Sequence, residues 1–162
     1  SNSATKVDAS TRGTTPFHRA CASADPEIIT YLLDHGADLV VGHHPHVLQG
    51  IERHGRGAVA YSLGNFLFEN TNDIPRLTGV LRARFTPERC LETLTFHPAY
   101  IKRTPSKHPV PATGGMGKQV RARMTELSAS LATSFELRGE DLTLGSFPCA
   151  PAAAPAASPT AM

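Results

Sequence analysis

The stretch Leu39-Val40-Val41-Gly42-His43-His44-Pro45-His46-Val47 decides how the rest of this 162-residue chain is interpreted. Its first three residues are apolar and rich in valine, which predicts a buried strand that ends at Gly42. Histidines follow directly, and the carboxyl ends of strands are where open α/β sheets place their ligands. Neutral imidazole is a common metal ligand, and two histidines separated by one residue in extended backbone point to the same side. The stretch therefore predicts a metal-dependent hydrolytic site.

The segments on either side predict an α/β fold. Upstream, Asp25-Pro26-Glu27 is a helix start signal, and an apolar stripe runs from there to His35-Gly36, where glycine suits the end of a helix. Downstream, the apolar run 58–63 predicts a second strand that ends in a tight turn at Gly64-Asn65. The apolar residues 66–68 are expected to continue the strand after the turn, which would bring the chain back to the histidines.

The second half of the chain predicts a hairpin, a helix and a terminal strand or hairpin. The runs 79–85 and 90–101 are strand-like and are separated by a short turn segment. Apolar residues at steps of three and four predict a helix over about 117–132, with 135–144 as the terminal strand or hairpin. From residue 146 to residue 162 the sequence is mostly alanine and proline, and we expect disorder there because large apolar groups are scarce.

Composition excludes some classes of protein. The net charge is only +2 and aromatic residues make up 6%, so nothing marks a nucleic-acid surface. No signal-like segment occurs within 1–19, and no apolar run is long enough to span a membrane. Cys21, Cys90 and Cys149 are far apart and in no CxxC pair, so we expect ordinary free thiols.

Two longer segments, 36–49 and 61–66, resemble the C-terminal part of the CapA family, the poly-γ-glutamate capsule biosynthesis proteins. The family's fold is that of the calcineurin-like metallophosphatases. The resemblance implies a partial metallophosphatase-like sheet with flanking helices over residues 36–145. It implies that His44 and His46 are ligands of a two-metal centre of divalent ions, with His43 as a neighbouring or acid/base group. Ser62 and Asn65 are expected to line the pocket.

The activity implied by this resemblance is a metal-assisted, phosphoesterase-type hydrolysis that acts on a capsule polymer or another phosphoester. A full-length member is expected at the cell envelope. A two-metal centre needs carboxylate, Asn and His ligands, and in this superfamily most of them come from the first half of the domain, which this sequence does not contain. Gly64-Asn65-Phe66 does not match the superfamily's Gly-Asn-His element, because the histidine is missing. We therefore expect little or no hydrolysis by this chain alone.

Residues 13–38 are similar to a single ankyrin repeat, with helices expected over 16–22 and from Pro26 onward. On this interpretation residues 1–35 form a lead-in and a short helical hairpin. One repeat normally needs neighbours for stability, so three explanations stay open: a hybrid or misassembled frame, a recombined gene, or a helix that covers the CapA-like sheet. A second hypothesis for function follows, a non-enzymatic module that binds a protein partner through the hairpin.

Each candidate residue also has a simpler explanation. The histidines can belong to a surface loop, and a Gly-Asn pair is often only a turn. Glu52 and Glu69 are most simply solvated surface charges. His18 is expected to be structural, and we assign no function to the remaining histidines, His35, His54, His97 and His108.

Overall fold

The computed structural model describes residues 26–68, 72–103 and 107–149. The helix predicted over 16–22, most of the ankyrin-like segment and the Ala/Pro-rich residues after 149 lie outside these ranges. The described part combines helices with two β-sheets, which confirms the α/β class predicted from the sequence.

A small three-stranded sheet carries the histidine stretch. Its strands are β1 (Leu39–Val41), β2 (Ile51–His54) and β3 (Gly57–Ala60), in the order β1-β3-β2. The β1 and β3 strands run parallel, with Val41 opposite Ala60, whereas β2 and β3 form an antiparallel hairpin. All four residues of β3 are buried, as expected for the central strand of a covered sheet.

Helix α1 (Pro26–Asp34) covers one face of this sheet. Ile29 and Leu33 are buried against Val59 of β3, and Val40 packs against the same cluster. The helix ends before Gly36, whose φ of 101° is a conformation that glycine adopts without steric cost. The predicted second helix is thus confirmed, and its apolar stripe faces the sheet.

The second sheet is antiparallel and five-stranded. Its strands are β4 (Leu77–Phe85), β5 (Leu91–Ile101), β6 (Pro109–Pro111), β7 (Glu136–Arg138) and β8 (Asp141–Gly145). The main order is β4-β5-β8-β7, and β6 pairs with the end of β5. The predicted long hairpin and terminal hairpin are both confirmed. The β2 and β6 strands were not predicted, and β6 lies in the Pro-rich link because proline is tolerated at a sheet edge.

Helix α2 (Gly114–Ala129) joins the two sheets. Val120 and Met124 are fully buried in the main core, which contains residues from both sheets. Next to this core, Ser128 Oγ accepts a hydrogen bond of 2.9 Å from the Ile51 amide, and Thr133 Oγ1 accepts one of 2.9 Å from the Arg53 amide. These bonds satisfy amides at the outer edge of β2, where no further strand follows within the described residues. The helix begins and ends a few residues earlier than predicted.

The prediction that all cysteines are free thiols is wrong for two of them. Cys90 and Cys149 form a disulfide, with their Cα atoms 5.3 Å apart. Beside this link, Phe147 is buried and the Arg53 guanidinium lies 4.2 Å from its ring centroid. The folded body therefore continues through residue 149 and passes the boundary expected at 145. No helix in the described part of the chain is long and apolar enough to cross a membrane.

Candidate functional site

The histidine stretch and the Gly64-Asn65 turn lie side by side because β1 and β3 are parallel. Carboxyl ends of parallel neighbours meet at one edge of a sheet, so the segment after β1 meets the segment after β3. The Gly42 amide donates to Ala60 O at 2.8 Å, and the Gln49 amide donates to Ser62 O at 3.0 Å. An isolated bridge joins Leu48 to Leu63. The expected return of the chain to the histidines is confirmed.

Ser62 supports this turn from inside. Its side chain is fully buried, and its hydroxyl oxygen accepts a 3.2 Å hydrogen bond from the Gly64 amide. Gly64 has a φ of 75°, and a Cβ placed on it would lie 3.0 Å from Leu77 O. Glycine is therefore required for both the backbone conformation and the close approach. The structure places Ser62 beneath the turn, whereas the sequence predicted it at the pocket surface.

Two of the three histidine rings are held by the turn. His43 Nδ1 lies 3.1 Å from Gly64 O, and His46 Nδ1 lies 2.7 Å from Asn65 Oδ1. In each ring, Nδ1 therefore faces an oxygen atom of the Gly64-Asn65 turn. The opposite nitrogen, Nε2, is the atom that each ring can offer to a ligand.

Asn65 is the most constrained polar residue of the site. It is 4% exposed, and its Nδ2 donates to His46 O at 3.0 Å and to Pro75 O at 3.1 Å. Pro75 belongs to a short 3-10 helix, Ile74–Arg76, that leads into β4. Asn65 therefore connects the histidine segment to the second sheet. The sequence predicted that it lies at the site, and the structure adds the specific partners.

The premise that His44 and His46 share one side of an extended backbone is wrong. Residues 44 and 45 form a turn, and His46 has a φ of 57°, in the left-handed region. His44 is exposed, and no hydrogen bond within the described ranges joins its side chain. The alternation of side chains along a strand consequently does not apply after Gly42.

Exposed apolar side chains lie beside the histidines. Phe66, Leu67 and Phe68 are all exposed, and the Phe68 ring centroid is 5.0 Å from that of His46. They do not continue β3 as predicted, because the Gly64-Asn65 turn redirects the chain. The site therefore has an apolar surface on one flank.

Of the two carboxylates considered in the sequence, Glu52 makes its hydrogen bond with Tyr61. Glu52 accepts a 2.5 Å hydrogen bond from the Tyr61 hydroxyl. The Tyr61 pKa is raised to about 12, mainly by burial and to a smaller extent by the hydrogen bond to Glu52 and the charge of Glu52. Glu69 lies outside the described ranges. Across residues 26–68, 72–103 and 107–149, no three His, Cys, Asp or Glu side chains form a group that could hold a metal ion.

The other described histidines lie elsewhere in the fold. His35 stacks on Tyr31 with ring centroids 3.8 Å apart, and His97 Nδ1 is 3.0 Å from Asp141 Oδ1. His54 lines a cavity of about 390 Å³ at the opposite, amino-terminal end of the β1–β3 pair, together with Asp34 and Arg56. None of these groups contributes to the surface formed by His43, His44 and His46.

Comparison with known proteins finds a family that is similar to the segment carrying these residues. Residues 10–70 match the family described as bacterial capsule synthesis protein PGA_cap. The match includes α1, the small sheet and both site segments. It also includes all of residues 13–38, the segment that is similar to an ankyrin repeat. The chain is thus related, over this part, to the bacterial capsule synthesis proteins.

Two curated proteins named CapA are similar to a shorter segment of the chain. The chain is 55% identical over 38 residues to the capsule biosynthesis protein CapA of Bacillus anthracis, a match that covers 24% of this chain and 9% of that protein. It is 58% identical over 36 residues to the PGA biosynthesis protein CapA of Bacillus subtilis (strain 168), covering 22% of this chain and 10% of that protein. An uncharacterized protein, y4sH, of Sinorhizobium fredii is 54% identical over 39 residues, which are 24% of this chain and 8% of that protein. The matched segment spans about a tenth of these relatives' lengths, and over it this chain is CapA-like.

Proposed function

We propose that this chain supplies the histidines of a metal-dependent, phosphoesterase-type site in a capsule biosynthesis protein of the CapA type. The observation that carries the proposal is the pair of imidazoles that follow β1, each held through Nδ1 by the Gly64-Asn65 turn that follows β3. Histidines that bind metals commonly use one ring nitrogen for the metal while the other donates to an oxygen of the protein. His46 has this arrangement, and the corresponding contact of His43 leaves its Nε2 facing away from the fold for proton transfer.

The three histidines have different proposed roles. His46 is a metal ligand through Nε2, because its ring and backbone are both fixed. His44 is the second ligand, on an exposed turn that can adjust to an ion. His43 is the proton-carrying group, since its Nδ1–H faces Gly64 O and leaves Nε2 to exchange a proton with a reacting oxygen.

The three histidines alone do not make a complete ligand set for a two-metal hydrolase. Two or three neutral imidazoles suit divalent zinc, iron or manganese, but such centres also use carboxylates that balance the charge of the ions. We propose that those carboxylates come from the part of a CapA-like domain that corresponds to the rest of the relatives' length. A divalent ion bound there would act as a Lewis acid on a phosphoester oxygen.

The alternative of a protein-binding module finds less support in the described residues. The apolar face of α1 is used within the fold, where Ile29 and Leu33 pack on Val59. An ankyrin helix pair would present that face to neighbouring repeats. The ankyrin similarity of residues 13–25 stays a prediction, because these residues lie outside the described ranges.

Metal titration of the chain tests the proposal. We expect calorimetry with Zn²⁺ or Mn²⁺ to show one weak site in the wild type that is lost in the double variant His44→Ala with His46→Ala. His43→Ala should retain most of the binding, because its proposed role is proton transfer. His108→Ala is the matched control, since it removes an exposed imidazole that lies outside the site.

Two results would contradict the proposal. Equal binding by the wild type and the double variant would show that the metal is held elsewhere. Loss of binding in His108→Ala, with retention in the double variant, would assign the site to a different surface.

A further inference from the structure

We infer that Asn65 is a positioning residue that fixes His46 in the Nδ1–H tautomer, so that Nε2 alone presents a lone pair to the site. The use of Nε2 as a metal ligand rests on the proposed function. The position of the proton on His46 does not depend on any metal. It follows from the hydrogen-bond partners of one buried amide.

The orientation of the Asn65 amide is determined by two carbonyl groups. His46 O and Pro75 O lie 3.0 and 3.1 Å from Nδ2. Carbonyl oxygens only accept hydrogen bonds, so the NH₂ group must face them, and each of its two N–H bonds has a partner. The flipped amide would instead place Oδ1 against two acceptors, which is unfavourable for a side chain that is 4% exposed.

This orientation determines the proton on His46. Asn65 Oδ1 faces His46 Nδ1 at 2.7 Å, and an amide oxygen has no proton to donate. The hydrogen bond therefore requires a proton on Nδ1. In neutral imidazole the other nitrogen, Nε2, then carries the lone pair.

Asn65 also stabilises an unfavourable backbone conformation. His46 has a φ of 57°, which is uncommon for a residue with a side chain. The Asn65 amide binds both the ring and the carbonyl oxygen of this same residue, so rotation of either would break a hydrogen bond. Its bond to Pro75 O anchors the arrangement to the 3-10 helix before β4. The ring of His46 is thereby fixed in direction as well as in tautomer.

The tautomer is measurable by ¹⁵N NMR of the imidazole nitrogens in the metal-free chain. We expect His46 of the wild type to be in the Nδ1–H form. In Asn65→Ala the acceptor is lost, and His46 should show the mixture of tautomers that a solvated imidazole shows. Thr133→Val is the control for the loss of a buried side-chain hydrogen bond elsewhere, because Thr133 Oγ1 accepts from the Arg53 amide.

The outcomes separate this inference from the proposed function. The Nε2–H form in the wild type would overturn the inference, even if no Asn65 variant folds. An unchanged tautomer in a folded Asn65→Ala variant would also overturn it. Zn²⁺ titration of the same proteins is the second readout, with affinity about 10- to 100-fold lower for Asn65→Ala than for the wild type. If the wild type shows the Nδ1–H form and binds no Zn²⁺, the proposed function fails while the positioning role of Asn65 stands.

Discussion

Cys149 is joined to Cys90 by a disulfide across 59 residues of sequence, and this link attaches the last described residue to the loop before β5. Both partners lie near the main core, with Cys90 buried and Phe147 packed two residues before Cys149. The link therefore holds the C-terminal segment on the second sheet.

The disulfide is predicted to stabilise the fold by restricting the unfolded chain. For a loop that spans 59 residues, removal should lower the free energy of unfolding by about 4 kcal/mol. Urea unfolding with and without a thiol reductant measures the effect. The double variant Cys90→Ser with Cys149→Ser should be as unstable as the reduced wild type and insensitive to the reductant. Equal stability of the oxidised and reduced wild type would contradict the prediction.

Substitution by alanine is predicted to change the stability of the fold in opposite directions at two glycines. A Cβ on Gly79 would overlap the ring of Phe96 in the core, whereas Gly115 in the first turn of α2 has open space around it. Gly79→Ala should cost about 1–3 kcal/mol because the ring and the strand must shift. Gly115→Ala should be neutral or stabilising by up to about 1 kcal/mol, since alanine is the better helix former. Thermal unfolding of both variants checks the difference in sign, and destabilisation by Gly115→Ala alone would contradict it.

The hydroxyl of Tyr61 is predicted to ionise at a higher pH than an ordinary tyrosine hydroxyl. Its pKa is raised to about 12 by burial first and then by the hydrogen bond and charge of Glu52. Because the folded pKa lies above the unfolded value, the neutral hydroxyl contributes stability below pH 10, and this contribution is lost as the pH rises towards 12. Phenolate absorbance should show one tyrosine that ionises near pH 12. In Glu52→Gln that step should move to lower pH but stay above the normal value, since burial remains.

Asp73 is predicted to stabilise the fold at neutral pH and to lose its contribution in acid. The Arg103 hydrogen bond and charge, followed by those of Arg76, lower its pKa, and the ion pairs measure 2.6 and 3.0 Å. A lowered pKa means that the stabilisation is complete above the unfolded value of 3.8 and disappears as the pH falls through the folded value. The stability difference between wild type and Asp73→Asn should therefore shrink in acid. It should also shrink at high salt, because the carboxylate is exposed. A difference that does not change with pH would contradict the assignment.

Local patterns predicted most of the elements. The stripe that ends at Leu33 predicted α1, the valine-rich run before Gly42 predicted β1, and the long hairpin of β4 and β5 followed from two extended runs. The short strands β2 and β6 were missed because neither has the apolar run that predicted β1: β2 is mostly polar and β6 contains two prolines. Residues 66–68 were predicted to extend β3, but the positive φ of Gly64 turns the chain away.

The sequence predicted which residues belong to the candidate site, but it did not predict how their side chains contact one another. His43, His44, His46, Ser62 and Asn65 were all selected from motifs, and the structure brings the two segments together. The sequence did not indicate that Asn65 holds His46 or that Gly64 O holds His43. Those contacts span 19 and 21 residues and depend on the parallel pairing of β1 with β3, which no local pattern encodes.

The sequence by itself determined the α/β class, the position of the histidines at the end of a strand and the similarity to CapA, because each depends on residues that are close together in the chain. Only the tertiary structure decided that Cys90 pairs with Cys149, that Ser62 is buried, and that a single amide fixes both the ring and the backbone of His46. The physical reason is that a buried polar group must find its partner wherever the fold places one. For His46 that partner is Asn65, and its position depends on the sheet rather than on spacing along the chain.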